Sequence, residues 1–386
     1  MNDKELSSIY KIIRKNFEKK KIPLSEPNFT QDDVKSVSLA VKKNSVSSAF
    51  GNFVTIFENK IKKITKAKHA IALINGTCSL QIALLALGLK RNQEVFIPAL
   101  NFIASSNAVL YCGGIPHFID VNNQDLGIDM EKLKKYLTLN TKIIRNKCIN
   151  KKTKRIIAFI VPTHVFGHIG NMDELKVIAK KFKLTILEDA SEALGSTYKN
   201  KHAGTFGKAG VLSFNGNKII TTGVGGAILT NNKKFAKLSR HVSSTSKIKH
   251  EWEFIHDKVG YNYRLANINA SLGISQIKKL NTYISHKKKL FNKFSSFIKN
   301  SNEFYILDQP KNCRSNFWLH TLVLKKPTQL KKNNILRKFH NKKILARPVW
   351  KPLHKLKYLK KYPKMNLNNA EILENMIVNL PSSFYL

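Results

Sequence analysis

The chain has 386 residues, with 67 Lys and Arg against 24 Asp and Glu, a formal net charge of +43 at pH 7. At 42% apolar residues it can build a sizeable globular core, and it contains no uninterrupted apolar run long enough to span a bilayer. Its four cysteines, Cys78, Cys112, Cys148 and Cys313, have no paired spacing, which argues against a disulfide framework or a thiolate metal site.

Residues 1–30 predict a basic helix over 9–20 and then an extended arm, Ile22-Pro-Leu-Ser-Glu-Pro. A helix follows over 32–43. Another covers 53–64, where Phe53, Ile56, Phe57, Ile61 and Ile64 recur at helical spacing. From Ala70 the pattern alternates. Apolar strands are expected at 70–74, 94–98, 116–121, 156–161, 185–187, 211–214 and 226–229. Helices are expected at 78–87, 102–111, 130–137 and 173–182, and the basic stretch 138–154 reads as a surface loop. Continuous apolar strands separated by helices specify a mostly parallel sheet covered on both faces. After Arg264 the pattern changes to one or two long helices over 266–299, a strand at 318–324, and helices at 330–339 and 370–378. The expected division is an N-terminal helix and arm (1–30), a large α/β domain (31–264), and a long helix with a small α+β domain (265–386).

The charge has two readings. Taken literally it suggests a polyanion partner, nucleic acid or an anionic surface. However, 58 of the basic residues are lysine and only nine are arginine, spread along a chain also rich in Asn and Ile. That pattern fits compositional drift over solvated faces better than a base-reading surface. Either way, the field steers small anionic substrates inward. The first residues lack the apolar core of a secretion signal, so a soluble cytoplasmic protein with reduced thiols is expected.

Four short segments carry chemistry. Asn75-Gly-Thr lies where a strand turns into a helix, whose first N–H groups either cradle a phosphate or are simply capped. Glu188-Asp189-Ala-Ser-Glu192 ends a buried strand, where a carboxylate needs a partner or serves as a helix cap. Ser213 and Lys218 bracket Phe214-Asn-Gly-Asn ahead of a glycine-rich turn. Phe102, at the expected start of a helix, is a stacking ring or a core aromatic. An acid and a lysine at the ends of neighbouring strands suit pyridoxal phosphate: the lysine forms the Schiff base and the acid pairs with the pyridine nitrogen. His164 and His168 lie past another strand end with no third ligand at metal spacing, so no metal is expected. Gly260-Tyr-Asn-Tyr-Arg264 is a polar and aromatic cluster that contacts a phosphate or sugar, or packs on a neighbour.

Taken in order, these segments together with Gly204-Thr-Phe-Gly and Thr221-Thr-Gly-Val-Gly-Gly resemble the DegT/StrS-type nucleotide-sugar aminotransferases that use pyridoxal phosphate. The resemblance runs from about Ile22 to Pro381, and Phe214-Asn-Gly-Asn-Lys-Ile-Ile-Thr-Thr-Gly and Arg347-Pro-Val-Trp-Lys-Pro-Leu-His are similar to the LegC-like branch. It implies the fold type I architecture of aspartate aminotransferase. Lys218 would then be the cofactor lysine and Asp189 its ring partner. Gly76, Thr77, Cys78 and Ser213 would form the phosphate cradle, Phe102 would stack on the ring, and Glu192 would lie near it. Asn262 would reach the cofactor of the other subunit in a homodimer. His164, Arg347, Trp350 and His354 are weaker candidates for substrate contact. Asn101 and Cys78 depart from the family's usual Thr and Ala, and Val224 interrupts its glycine turn. The activity implied is transfer of an amino group, with glutamate as donor, to C4 of a nucleotide-linked 4-keto-6-deoxy sugar. Elimination or racemisation, or a polyanion binder on the same fold, are the competing readings.

Overall fold

The computed structural model describes residues 3–17 and 19–384. It opens with helices α1 (Asp3–Asn16), α2 (Gln31–Lys42) and α3 (Phe53–Thr65). The alternating region then runs β1 (His69–Leu73), α4 (Gly76–Ala86), β2 (Glu94–Pro98), α5 (Ala104–Tyr111), β3 (Ile115–Ile119), α6 (Met130–Asn140), β4 (Thr141–Ile144), β5 (Lys147–Asn150), β6 (Ile156–Ile160), α7 (Met172–Lys181) and β7 (Thr185–Asp189). The short strands β8 (Thr197–Tyr198) and β9 (Lys201–His202) precede β10 (Ala209–Ser213), β11 (Gly226–Thr230) and α8 (Lys233–Ser243). A hairpin of β12 (Lys247–Ile248) and β13 (Ile255–His256) leads to α9 (Asn267–Gln276) and the long α10 (Leu280–Ile298). The remainder is β14 (Phe304–Ile306), β15 (Cys313–Arg314), β16 (His320–Leu324), α11 (Gln329–Asn341), β17 (Arg347–Pro348), α12 (Asn368–Met376) and β18 (Ile377–Leu380).

The main sheet has the order β1-β11-β10-β7-β6-β2-β3. β2, β3, β6, β7 and β10 pair in parallel, and β11 runs antiparallel to both β1 and β10. The strands are buried along most of their length because helices cover both faces, so they show no polar alternation. A second sheet, β14-β16-β18-β17, is antiparallel. The protein thus combines a large, mostly parallel sheet wrapped by helices with a smaller α+β unit.

Two apolar cores lie beneath these sheets. The larger one fills both faces of the main sheet and extends into the small unit through Val323, Leu373 and Ile377. The second gathers Leu6, Ile9, Ile13 and Phe17 beside Leu290, Phe294, Phe304 and Phe339, so the N-terminal helix packs with α10 and the small sheet.

Several elements differ from expectation. The first helix lies earlier, and Phe17 follows it rather than lying mid-helix. Residues 138–154 are no loop: β4 and β5 form a hairpin turning at Arg145 and Asn146, both with positive φ, and β5 pairs with β6. Its polar residues are structural. Asn150 Nδ2 and Thr153 Oγ1 donate to the buried Glu94 at 2.9 and 2.5 Å. Helix α8 was not anticipated, although Phe235, Ala236, Ser239, Val242 and Ser243 share its buried face. The last helix stops at Met376, and the chain continues as the central strand β18.

Candidate active site

The site lies at the carboxyl ends of the parallel strands, where open α/β sheets bind ligands. Strand register assembles it. In parallel pairing Val211 of β10 lies opposite Asp189 of β7, and Leu73, Gly226 and Ser213 form one row across β1, β11 and β10. That row brings Ser213 beside the start of α4, where Asn75 caps the helix by accepting from Cys78 N–H at 2.8 Å. A Cβ on Gly76 would lie 3.1 Å from Ser213 Cβ and 3.2 Å from Ser191 Oγ. The missing side chain therefore leaves a space ringed by two hydroxyls and unpaired helical N–H groups, a fit for a phosphate.

Asp189 is buried at the end of β7. Its Oδ2 accepts from Ser105 Oγ at 2.6 Å and its Oδ1 from Ser191 N–H at 3.2 Å. Asn101 Nδ2 in turn donates to Ser105 Oγ at 3.1 Å and to Thr163 Oγ1 at 2.8 Å, so a short polar relay orients the carboxylate. A buried carboxylate held this way can meet a cationic ring N–H.

Lys218 Nζ stands 3.3 Å from Glu192 Oε1 and 3.9 Å from the centre of the Trp318 ring. Burial pushes the Glu192 carboxyl above the usual carboxylate range, opposed by the Lys218 charge and the Phe166 N–H, which donates to Oε2 at 2.9 Å. Phe166 adopts φ 55° and the following Gly167 φ 95°. A Cβ on Gly167 would fall 1.9 Å from Asn316 Oδ1, so this tight turn admits only glycine. Asn316, fully buried, donates to the carbonyls of Glu192 and Leu194 at 2.9 Å and fixes the segment that carries Glu192.

Lys218, Glu192, Trp318, Ser191, Ser213 and Gly76 bound a cleft of about 340 Å³, within the size range of small-molecule sites, and Asp189 is buried outside its lining. It brings together Gly76, Thr77, Phe102, Glu192, Ser213, Lys218 and Trp350 from the expected set. Phe102 precedes helix α5 rather than opening it, and is 52% exposed, with its ring 6.3 Å from that of Trp350. It is a wall of the cleft, not a core aromatic.

Other expected residues lie elsewhere. His164 is buried, its Nε2 2.9 Å from Glu188 Oε2, and is not in the cleft lining. His354 is buried against Glu371 at 2.8 Å, and Arg347 is exposed on β17. Cys78 is the third residue of α4, its thiol pushed up by burial. Asn262 is exposed and bridges Ser244. Sequence reasoning missed Ser105, Ser191, Asn316 and Trp318. Ser191 lay within a motif already singled out, and Asn101 was noted only as a departure, whereas Trp318 and Asn316 come from the chain's last third and carry no local signal.

Lys218 in the turn after β10, the buried Asp189 at the end of β7 and the N-terminus of α4 thus gather at one end of the main sheet, an arrangement able to hold a phosphate-bearing group. Comparison with known proteins identifies the class. Residues 27–386 match the DegT/DnrJ/EryC1/StrS aminotransferase family. The chain is 33% identical over 364 residues to a GDP-perosamine synthase of Escherichia coli O157:H7, covering 94% of this chain and 93% of that protein. It is 28% identical to a UDP-4-amino-4,6-dideoxy-N-acetyl-beta-L-altrosamine transaminase of Campylobacter jejuni, covering 93% and 92%. Among solved structures it resembles a Helicobacter pylori aminotransferase involved in pseudaminic acid biosynthesis, with TM-score 0.84 and 26% identity, covering 94% of this chain and 93% of that one.

The chain belongs to the DegT/DnrJ/EryC1/StrS aminotransferase family, and it is a pyridoxal phosphate-dependent enzyme of fold type I. The ringed space at Gly76, the buried Asp189 and the partly enclosed Lys218 all suit that cofactor.

Proposed function

We propose that the enzyme transfers an amino group from glutamate to C4 of a nucleotide-linked 4-keto-6-deoxy sugar, in the manner of the LegC-like branch, and serves surface glycan synthesis. The observation that carries this reading is Lys218 facing Glu192 and Trp318 in one cleft, with Asp189 and the Gly76 turn at the adjoining strand ends. The relatives' printed activities, a perosamine synthase and a 4-amino-4,6-dideoxy sugar transaminase, support the choice of carbon and of a nucleotide-linked substrate.

The cofactor supplies the electron sink and carries the amine between the two half-reactions. The protein's own part is to bind, orient and move a proton. Lys218 would hold the cofactor covalently, and its amine would serve as the acid and base that moves the proton. Asp189 would pair with the ring nitrogen. Thr77, Ser213 and the α4 N-terminus would hold the phosphate. Phe102 and Trp350 bound the side from which the sugar enters. We further propose a cytoplasmic homodimer in which Asn262 reaches the phosphate bound by the other subunit. No helix among the described residues is long and apolar enough to cross a membrane.

Purified protein supplied with pyridoxal phosphate, glutamate and GDP- or UDP-linked 4-keto-6-deoxy sugars should give a 4-amino product by mass spectrometry. Lys218→Ala should lose both the bound cofactor's visible absorbance and all turnover. Turnover retained in Lys218→Ala would sink the assignment of the lysine. An aminated product at another carbon would sink the assignment of C4.

A further inference from the structure

Lys287 lies in the middle of α10 with 4% of its surface exposed. An ammonium so placed loses its hydration and needs strong compensation. Among the described residues no carboxylate pairs with it. Its Nζ donates to two backbone carbonyls, that of Trp318 at 3.0 Å and that of Ser382. Burial pulls its pKa down to about 7. The backbone carbonyl of Lys287 is engaged too, accepting from His320 Nε2 at 2.9 Å. α10 and the segment around 318–320 are thus tied together by two bonds running in opposite senses.

Trp318 connects this tie to the active site in two ways. Its ring face carries Lys218 Nζ 3.9 Å from the centroid. Its indole N–H donates at 2.7 Å to the carbonyl of Asn217, the residue before Lys218. The same carbonyl accepts from Ser25 Oγ of the N-terminal arm at 2.9 Å. Behind Lys218 the arm, α10 and the C-terminal segment line a half-open pocket of about 20 Å³, bounded by both Lys218 and Lys287 and large enough for one water. A cation over an aromatic face is sensitive to ring placement and counts for most when desolvated. The indole can hold that placement only if its backbone is fixed.

We propose that Lys287 is a positioning residue for the amine of Lys218, acting through Trp318. It pins the Trp318 backbone so that the indole both faces the ammonium and holds the carbonyl from which Lys218 projects. The inference rests on Lys218 being the reacting amine. It assigns a role to a buried lysine outside the lining of the cleft.

The test is a double-mutant cycle on the cofactor-free, full-length protein. Limiting acetic anhydride labels the amines, and the Lys218 peptide is followed by mass spectrometry against a free-amine standard. Lys287→Met should change the Lys218 labelling rate about threefold or more when Trp318 is present, and should leave it unchanged in a Trp318→Leu background. An equal change in both backgrounds means that Lys287 acts by its charge or on general structure, and overturns the proposal. No change in the chain that keeps Trp318 overturns it as well. If Lys287→Met is insoluble, Lys287→Gln, which removes the charge and retains a donor, is read by the same cycle. Labelling needs no cofactor, so a wild type that fails to take up pyridoxal phosphate would overturn the functional reading and leave this result interpretable.

Discussion

Asp189 is held by a relay rather than by a single contact. Thr163, Asn101 and Ser105 stand in line behind it, and the last link, Ser105 Oγ to Asp189 Oδ2, is 2.6 Å long. A hydrogen bond to a charged group contributes more than one between neutral groups, and a carboxylate that loses its donor in a buried site loses both stability and aim. Ser105→Ala should therefore lower the rate constant for transamination about tenfold, the equivalent of ~1.4 kcal/mol, while the circular dichroism spectrum stays native. An unchanged rate would mean that the Ser191 N–H alone suffices. In the sequence Asp189 stood out as a charged residue ending an apolar strand, and Lys218 through the strand and Ser213 before it and the glycine-rich turn after it. Ser105 and Asn101 did not, since a small polar residue near a helix start has a dozen structural uses. Glu188, next to Asp189, points to the opposite face of the strand. Its two oxygens accept from Gly204, Phe206 and Gly207 N–H and lie against His164, which explains the Gly204-Thr-Phe-Gly segment as a grip on the strand end. The histidine expected near the substrate is thus part of the support beneath Asp189.

At the scale of elements, the site depends on β11 lying against the turn into α4. A Cβ on Gly226 would sit 2.5 Å from the backbone carbon and oxygen of Asn75, which cannot yield as a flexible side chain can. Gly226→Ala should force the strand and the phosphate cradle apart, costing about 1–3 kcal/mol in denaturant unfolding and weakening cofactor binding in a titration. Gly216→Ala provides the contrast, because its Cβ would meet only Gly223 O at 3.9 Å and should leave unfolding unchanged. Equal effects in the two variants would refute this account of the cradle. Most strands of the main sheet were legible to within a residue or two, since they are continuous apolar runs ended by polar site residues. The hairpin of β4 and β5 was not. Its inward residues, Cys148 and Asn150, belong to a pattern that turns apolar only when Glu94 is counted as the partner of Asn150.

Across the whole molecule, buried histidines contribute to the response to acid, three of them strongly. His168 and His202 are held down to about 4 and His320 to about 3, all chiefly by burial. Each folded-state value lies below the ordinary 6.5, so between pH 6.5 and about 4 the unfolded chain binds protons that the folded protein refuses. Stability is then fully present above pH 6.5 and falls as the pH drops through that window, by ~1.4 kcal/mol per unit for each group. Thermal melts from pH 7 to pH 5 should show this fall, and His168→Leu should reduce its slope. His168 Nδ1 has no partner among the described residues, so little bonding is lost in that variant. An identical slope would remove His168 from the account. By itself the sequence determined most strands of the main sheet, many of the helices between them and the glycine-rich turns, because these depend on local apolar runs and on residues that only a few backbone conformations tolerate. Tertiary structure alone decided which distant side chains face Lys218. Trp318 and Lys287 are brought behind it by α10 and the small sheet, and His164, Arg347 and His354 are drawn away from the cleft. Such long-range contacts follow from how the two cores pack together, and no window of sequence contains both partners.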